Sequence, residues 1–185
     1  MTWDDGTTSV ASSAYGVCTA SHTFTAAGVY AVNITLADDD GATAAAQFDY
    51  VIVTDANAGA VTGGGWIITN GTKVTFATNA KYLKNETAPQ GNTEVQAPSM
   101  NFKAKSIAWL VVSGRNAQYS GSGTINGAGS YRYIVTVADG EADKFRIRIW
   151  DATNGTTLFD NVAGASDDID SANPQPIGGG NITIH

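Results

Sequence analysis

Apolar and polar residues alternate with a period of two along most of this chain. In VYAVNITL, Tyr30, Val32, Ile34 and Leu36 fall on one face, while Val29, Ala31, Asn33 and Thr35 fall on the other. The run ADDDGA then supplies a turn, after which Ala46, Phe48, Tyr50 and Ile52 share a face. Strand, Asp-Gly turn, strand is the pattern of a β-hairpin. HTFTAAG, just ahead of it, reads as a short strand and a glycine turn. Further on, KVTFA, SIAWLVVSG, AQYSGSG, SYRYIVTVADG, DKFRIRIW, TTLFDN and NITIH read as strands. In YRYIVTV, Tyr131, Tyr133, Val135 and Val137 alternate with Arg132, Ile134 and Thr136. In FRIRIW, Phe145, Ile147 and Ile149 alternate with Arg146, Arg148 and Trp150. One apolar and one polar face per strand predicts antiparallel sheets with a solvated side. Turns are expected at Asn126-Gly127, Asp139-Gly140 and Asn154-Gly155. Apolar residues nowhere recur at helical spacing for three turns, so the expected fold is all-β, built as sandwich or jelly-roll.

Composition sharpens this into two units. The 185 residues are long enough to bury a core, and charged residues make up only 15% of them, which suits a turn-rich β protein. Residues 1–55 hold Asp4, Asp5, Asp38, Asp39, Asp40, Asp49 and Asp55 with no Lys or Arg, so the net charge of −7 lies entirely there; the remainder is balanced. That break predicts a domain over 1–55, a small-residue linker over 56–65 (in DANAGAVTGGG) and a second domain over 66–185. With no basic stripe to meet phosphates, nucleic acid is excluded as a partner. No apolar run approaches the ~18 residues of a membrane-spanning helix. The single cysteine, Cys18, excludes an internal disulfide framework without fixing a compartment.

The stretch WDDGTTS…SHTFTAAGVYAVNITLADDDGATAAAQFDYVIV resembles the C-terminal two-thirds of a PKD domain, an immunoglobulin-like module of extracellular proteins. The Trp-x-Asp-Gly turn, the His-Thr-aromatic strand and the Gly-Val-Tyr-x-Val-x-x-x-Leu-x-Asp-Asp-Asp-Gly run appear in that module's order. The remainder, from TGGGWI through GSGTINGAGSYRYIVTVADGEADKFRIRIWD to IGGGNITIH, is similar to the post-COAP-type domain found behind PKD repeats in secreted bacterial proteins. The resemblance implies an Ig-like β-sandwich lacking its first strands, followed by a second antiparallel sandwich. It also implies an extracellular or cell-surface location, a buried role for Trp3 and a structural role for His22.

Catalytic constellations are not legible. The two histidines, His22 and His185, belong to no metalloprotease motif, and neither a nucleophile elbow nor a phosphate loop occurs. Cys18 and His22 stand four residues apart, yet on a β module they need not meet. The three glutamates, Glu86, Glu94 and Glu141, offer no supported glycosidase pair. Calcium has more support, because it takes six to eight oxygen ligands gathered by loops. DNVAGASDDIDS supplies Asp160, Asn161, Asp167, Asp168 and Asp170, with Asp151 just upstream. Such a concentration of acids is unfavourable unless solvent, an Arg or Lys, or a metal offsets it. Asp38, Asp39 and Asp40 form a second candidate loop, part of which the Asp-Gly turn already explains. Among the tryptophans, Trp109 reads as core, Trp66 as either core or surface, and Trp150 as the aromatic on a polar face that invites a ligand. Asn33, Asn70, Asn85, Asn154 and Asn181 begin Asn-x-Thr sequons and are candidate glycosylation acceptors.

The expected function is therefore a non-catalytic extracellular structural or adhesion protein, with no cofactor other than Ca²⁺. An Ig-like sandwich without its first strands leaves unpaired backbone and an apolar groove, which a strand from another copy could fill and so propagate a filament. The alternative is a carbohydrate-binding or spacer module of a larger secreted hydrolase, with polysaccharide and neighbouring domains as its partners.

Overall fold

The computed structural model describes residues 1–185 apart from Tyr15, Asp38, Ala56, Ala58 and Asn85; of Ser13, Asp49 and Tyr50 it describes the backbone alone. Every regular element among the described residues is a β-strand, and the chain divides into two compact units, Met1–Val53 and Thr54–His185.

The first unit holds β1 (Thr2–Trp3), β2 (Ser12–Ala14), β3 (Val17–Thr19), β4 (Gly28–Ala37) and β5 (Thr43–Val53). β1, β4 and β5 form one antiparallel sheet in that order, and β2 and β3 form a separate hairpin. The Trp-Asp-Asp-Gly stretch is a tight turn: Gly6 N donates to Trp3 O at 3.0 Å, with Gly6 at φ 82°, a backbone state that glycine alone adopts without strain. Trp3 is buried, donates from Nε1 to Ser9 Oγ at 2.8 Å, and stacks on His22 with ring centroids 4.7 Å apart. The aromatic series continues through Phe24, edge-on to His22, to Tyr30. The strand expected over HTFTAAG is not formed; its side chains pack on Trp3 instead of its backbone joining a sheet. A register shift between Tyr30 and Val32 breaks the single alternation expected along β4, so Val29 and Val32 are both buried.

The second unit is one ten-stranded sheet: β6 (Ala60–Thr69), β7 (Thr72–Tyr82), β8 (Pro89–Ala97), β9 (Met100–Ser113), β10 (Asn116–Ile125), β11 (Ala128–Ala138), β12 (Lys144–Asp151), β13 (Thr157–Asp160), β14 (Gln175–Pro176) and β15 (Gly179–Ile184). From β6 to β13 each strand pairs with the next in sequence, so the order is that of a meander. Residues 60–65, expected within a linker, are instead the first part of β6, paired to β7 and to β15. Their glycines carry no periodicity to read, which is why the strand is silent in the sequence. Asn70-Gly71 and Asn126-Gly127 make two-residue Asn-Gly hairpin turns, with φ of 48° and 73°, and 52° and 79°.

The sheet folds over on itself as a sandwich. Phe76 of β7 stacks face to face on Phe145 of β12, centroids 3.8 Å apart, although the two strands are distant in the sheet order. Tyr119 of β10 crosses the core to Thr93 of β8 at 3.0 Å and to Thr78 of β7. The inward positions of β11 and β12 are as expected: Tyr133, Val135, Val137, Phe145, Ile147 and Ile149 are all buried. Trp109, expected in the core, is half-buried, because a register irregularity in the β9–β10 pairing turns it outward opposite Ser120.

Residues 175–184 close the seam. β14 pairs with β12, Ile177 N donates to Asp143 O at 2.9 Å, Gly178 N donates to Trp66 O at 2.7 Å, and β15 then pairs with β6. On the other side of β15, Asp143 Oδ2 accepts from Ile182 N at 2.7 Å and Asp139 Oδ2 from Ile184 N at 3.0 Å. The two carboxylates thus serve donors that a neighbouring strand would otherwise take.

Candidate functional site

The acidic run 160–170 is the densest concentration of sequence-predicted site residues, and the structure turns much of it toward arginine. Arg146 and Arg148 point to the face of β12 opposite the core. The register places Gln118, Thr136 and Arg146 in one row across β10, β11 and β12 on that outer face. Residues 161–174 pass over it as a strap. Asp160 grips Arg146 with both oxygens: Nε to Oδ1 at 3.1 Å and Nη2 to Oδ2 at 2.8 Å. Asp167 Oδ1 lies 3.1 Å from Arg146 Nη2, and its Oδ2 takes Arg148 Nη1. Arg146 also donates to the main-chain oxygens of Ala165 and Ser166, and Gln118 Nε2 donates to Thr136 Oγ1 and Asp167 O, both at 2.9 Å. Side-chain exposure is 2% for Arg146, 6% for Asp160 and 8% for Asp167, so these charges are desolvated. Burial pulls the Arg146 pKa down, but the hydrogen bond and charge of Asp160, joined by Asp167, outweigh it and hold the guanidinium above its ordinary value.

The other members of the predicted calcium loop do not converge with these two. Asp151 Oδ1 caps the β12–β13 turn, accepting from Thr153 N and Asn154 N at 2.7 and 3.2 Å. Asn161 acts as a strand surrogate: Oδ1 accepts from Ile147 N and Nδ2 donates to Phe145 O. Asp168 Oδ1 closes an Asx turn on Asp170 N and Ser171 N. Among the described residues no three acidic, histidine or cysteine side chains gather as for a metal. The guanidinium groups of Arg146 and Arg148 offset the repulsion at Asp160 and Asp167. Of the second candidate loop, Asp38 lies outside the described residues, while Asp39 and Asp40 are exposed in a turn.

Arg146 as the anchor of the strap was not expected from the sequence, where alternation placed it in solvent. A signal was present: two arginines on one strand face, followed by an acid-rich segment long enough to fold back over them. Val111, Ile134, Ile169 and Ala172 are buried as well, yet stand apart from the main core cluster, as expected of a second, smaller layer under the strap.

In the first unit, His22 Nε2 meets Asp5 Oδ2 at 2.6 Å while its ring lies on Trp3. Thr7 hydrogen bonds, more than His22, hold the Asp5 carboxyl below its ordinary pKa. Cys18 is exposed on β3, and His22 is engaged elsewhere. The β4–β5 hairpin leaves apolar side chains in solvent: Phe48 is 61% and Leu36 45% exposed. No described strand lies along the outer edge of β5. In the second unit, β13 is likewise a terminal strand, with Leu158 49% exposed.

Trp150 is half-buried, with the Arg148 guanidinium 5.0 Å from its ring centroid. Asn33, Asn70, Asn154 and Asn181 are exposed, and Asn85 lies outside the described residues. Asn181 Nδ2 donates to Thr183 Oγ1 at 2.9 Å along β15, and Asn154 Oδ1 accepts from Thr156 N at 2.9 Å in the β12–β13 turn. No family model, curated protein or solved structure matches this chain.

Proposed function

We propose that this chain is a non-catalytic extracellular structural module that associates with further copies of itself through the first unit. The carrying observation is the uncovered β4–β5 hairpin, with Phe48 and Leu36 in water beside the open edge of β5. Exposed apolar side chains along an open strand edge favour pairing with another strand. Residues 1–55 carry seven acids and no Lys or Arg, so two such faces repel one another and a two-fold contact is disfavoured. The charge-balanced second unit is the better acceptor, and its free edge is β13 with Leu158 exposed. β6 and β15 are paired to each other and so offer no open edge there. Contact of β5 in one copy with β13 in the next is heterologous and propagates.

Light scattering and negative-stain microscopy test this over a range of concentrations. Growing oligomers or filaments are expected, with Phe48→Lys and Leu158→Lys each remaining monomeric. An equimolar mixture of the two variants is expected to form dimers, because each keeps the edge the other lacks. A monodisperse wild-type monomer at all concentrations would sink the proposal.

A further inference from the structure

Asn-Gly pairs stand at three turns of the second unit, at 70–71, 126–127 and 154–155. Such a pair is chemically vulnerable, because glycine has no side chain to shield its main-chain nitrogen from the preceding carboxamide. The fold restrains the three to very different degrees. Asn126 Oδ1 accepts from Asn101 N at 2.9 Å and its Nδ2 donates to Ser99 O at 3.3 Å, so its carboxamide is tied to the β8–β9 connection. Its own main-chain N–H also donates to Asn101 O at 2.8 Å. At the third pair the glycine nitrogen is itself engaged: Gly155 N donates to Asp151 O at 3.0 Å, while Asn154 Oδ1 accepts from Thr156 N at 2.9 Å. Asn70 carries neither restraint. It is exposed together with Gly71, and among the described residues its carboxamide makes no hydrogen bond and the Gly71 N–H meets no acceptor.

We infer that Asn70 is a modification site, the one Asn-Gly pair that deamidates spontaneously while the sheet is folded. The Gly71 nitrogen attacks Asn70 Cγ: the N–Cγ bond forms, the Cγ–Nδ2 bond breaks, and the nitrogen's proton leaves with the amide as ammonia. Water then opens the resulting five-membered imide at either carbonyl, giving aspartate or isoaspartate. Nothing is oxidised or reduced, and water is the sole co-reactant. The attack requires the turn to open briefly. Asn70-Gly71 and Asn126-Gly127 have closely similar φ values, so the opening of the turn itself costs the two pairs alike. At Asn126 the side-chain hydrogen bonds must break as well, which slows the reaction there roughly tenfold or more, equivalent to about 1.4 kcal/mol of barrier. The product places a carboxylate at the tip of the β6–β7 hairpin. Its isoaspartyl form adds a carbon to the main chain of a two-residue turn, beyond which the pairing runs unbroken from Thr69↔Thr72 to Ala60↔Lys81. Because turn length fixes hairpin register, that form strains the end of the ladder nearest the buried Ile67 and Val74.

Incubation of the full chain in warm, mildly alkaline buffer tests this, followed by chymotryptic peptide mapping and isoaspartyl methyltransferase labelling. Aspartate and isoaspartate are expected at position 70, with Asn126 and Asn154 each reacting roughly tenfold or more slowly. A parallel incubation in concentrated urea separates fold from sequence. All three pairs should react there at comparable rates, since each is followed by the same unshielded glycine. An acidic band should accumulate on isoelectric focusing of the wild type and be lost in Asn70→Gly, a change that keeps the turn because Gly-Gly adopts the same geometry. The inference is overturned if Asn126 or Asn154 reacts as fast as Asn70 in the folded chain. It is equally overturned if Asn70 stays intact there while the unfolded chain reacts, or if the unfolded chain shows the same ranking as the folded one.

Discussion

Arg146 shows how little a residue's place in an alternating strand says about its surroundings. Its position on β12 points it away from the core, yet Asp160 and Asp167 close over it and remove it from water. Removing one partner of such a cluster leaves the other charges buried and uncompensated, which costs about 3–5 kcal/mol. Arg146→Ala is therefore expected to lower unfolding free energy by that order in urea titrations, whereas Arg132→Ala, exposed on β11, should change it little. Because the guanidinium already offsets these carboxylates, added calcium is expected to leave the wild-type melting temperature unchanged; a rise of several degrees would show that the loop takes the metal after all. Tyr119 makes the alkaline counterpart. Burial pushes its hydroxyl from 10 up to about 12, against the hydrogen bonds of Thr78 and Thr93. Its folded pKa exceeds its unfolded one, so stability is intact below about pH 10 and is lost as pH rises toward about 12. The loss is roughly 3 kcal/mol, with Tyr133 adding in the same direction. Urea midpoints at pH 9 and pH 11 capture about half of it, roughly 1.4 kcal/mol, and Tyr119→Phe should flatten the difference.

Among the elements, β15 depends most on groups distant in sequence. One edge pairs with β6, while the other is held by the carboxylates of Asp143 and Asp139 from the β11–β12 connection. Asp143 also accepts from Ile177 through its main-chain oxygen, so it joins the segment at two places. Truncation of the side chain strands the Ile182 N–H in a partly buried position, at a cost of about 1–3 kcal/mol. Asp143→Ala should show that loss in chemical denaturation, with faster amide exchange at Ile182 and Ile184 than at the β9–β10 ladder. Equal acceleration everywhere would mean that the carboxylate supports the whole sheet rather than the seam. The strand pattern of β7 and β9 to β13 was legible because one face of each meets a core and the other does not. β6 was not legible, because Gly63, Gly64 and Gly65 carry no side chains to alternate. Nor was β8, where Pro89–Ala97 places only Thr93 and Val95 deep in the core.

For the whole molecule, the two units differ in how much they bury. In the first, the buried apolar side chains among the described residues are Trp3, Val29 and Val32; the second has a continuous core reaching from Val61 to Ile182. Local stability follows buried contacts. Hydrogen exchange should therefore open Met1–Val53 well before Thr54–His185, and calorimetry should resolve two transitions. A single cooperative transition with uniform protection would contradict this. If the first unit is completed by another copy, as proposed, its protection should rise with protein concentration while that of the second stays level.

The sequence by itself determined the all-β class, the sides of β11 and β12 that face the core, the Trp-Asp-Asp-Gly turn and the absence of any legible catalytic motif. These are local matters: a period of two, a glycine needed at positive φ, a residue type present or missing. Only the tertiary structure decided that Asp160 and Asp167 would meet Arg146 and Arg148. It alone settled that the glycine run would be a strand and that one outer face of the sandwich would be strapped while the other stayed bare. Each of those depends on which distant strands the folded sheet brings together, and alternation within a single strand carries no information about what will lie against its polar side.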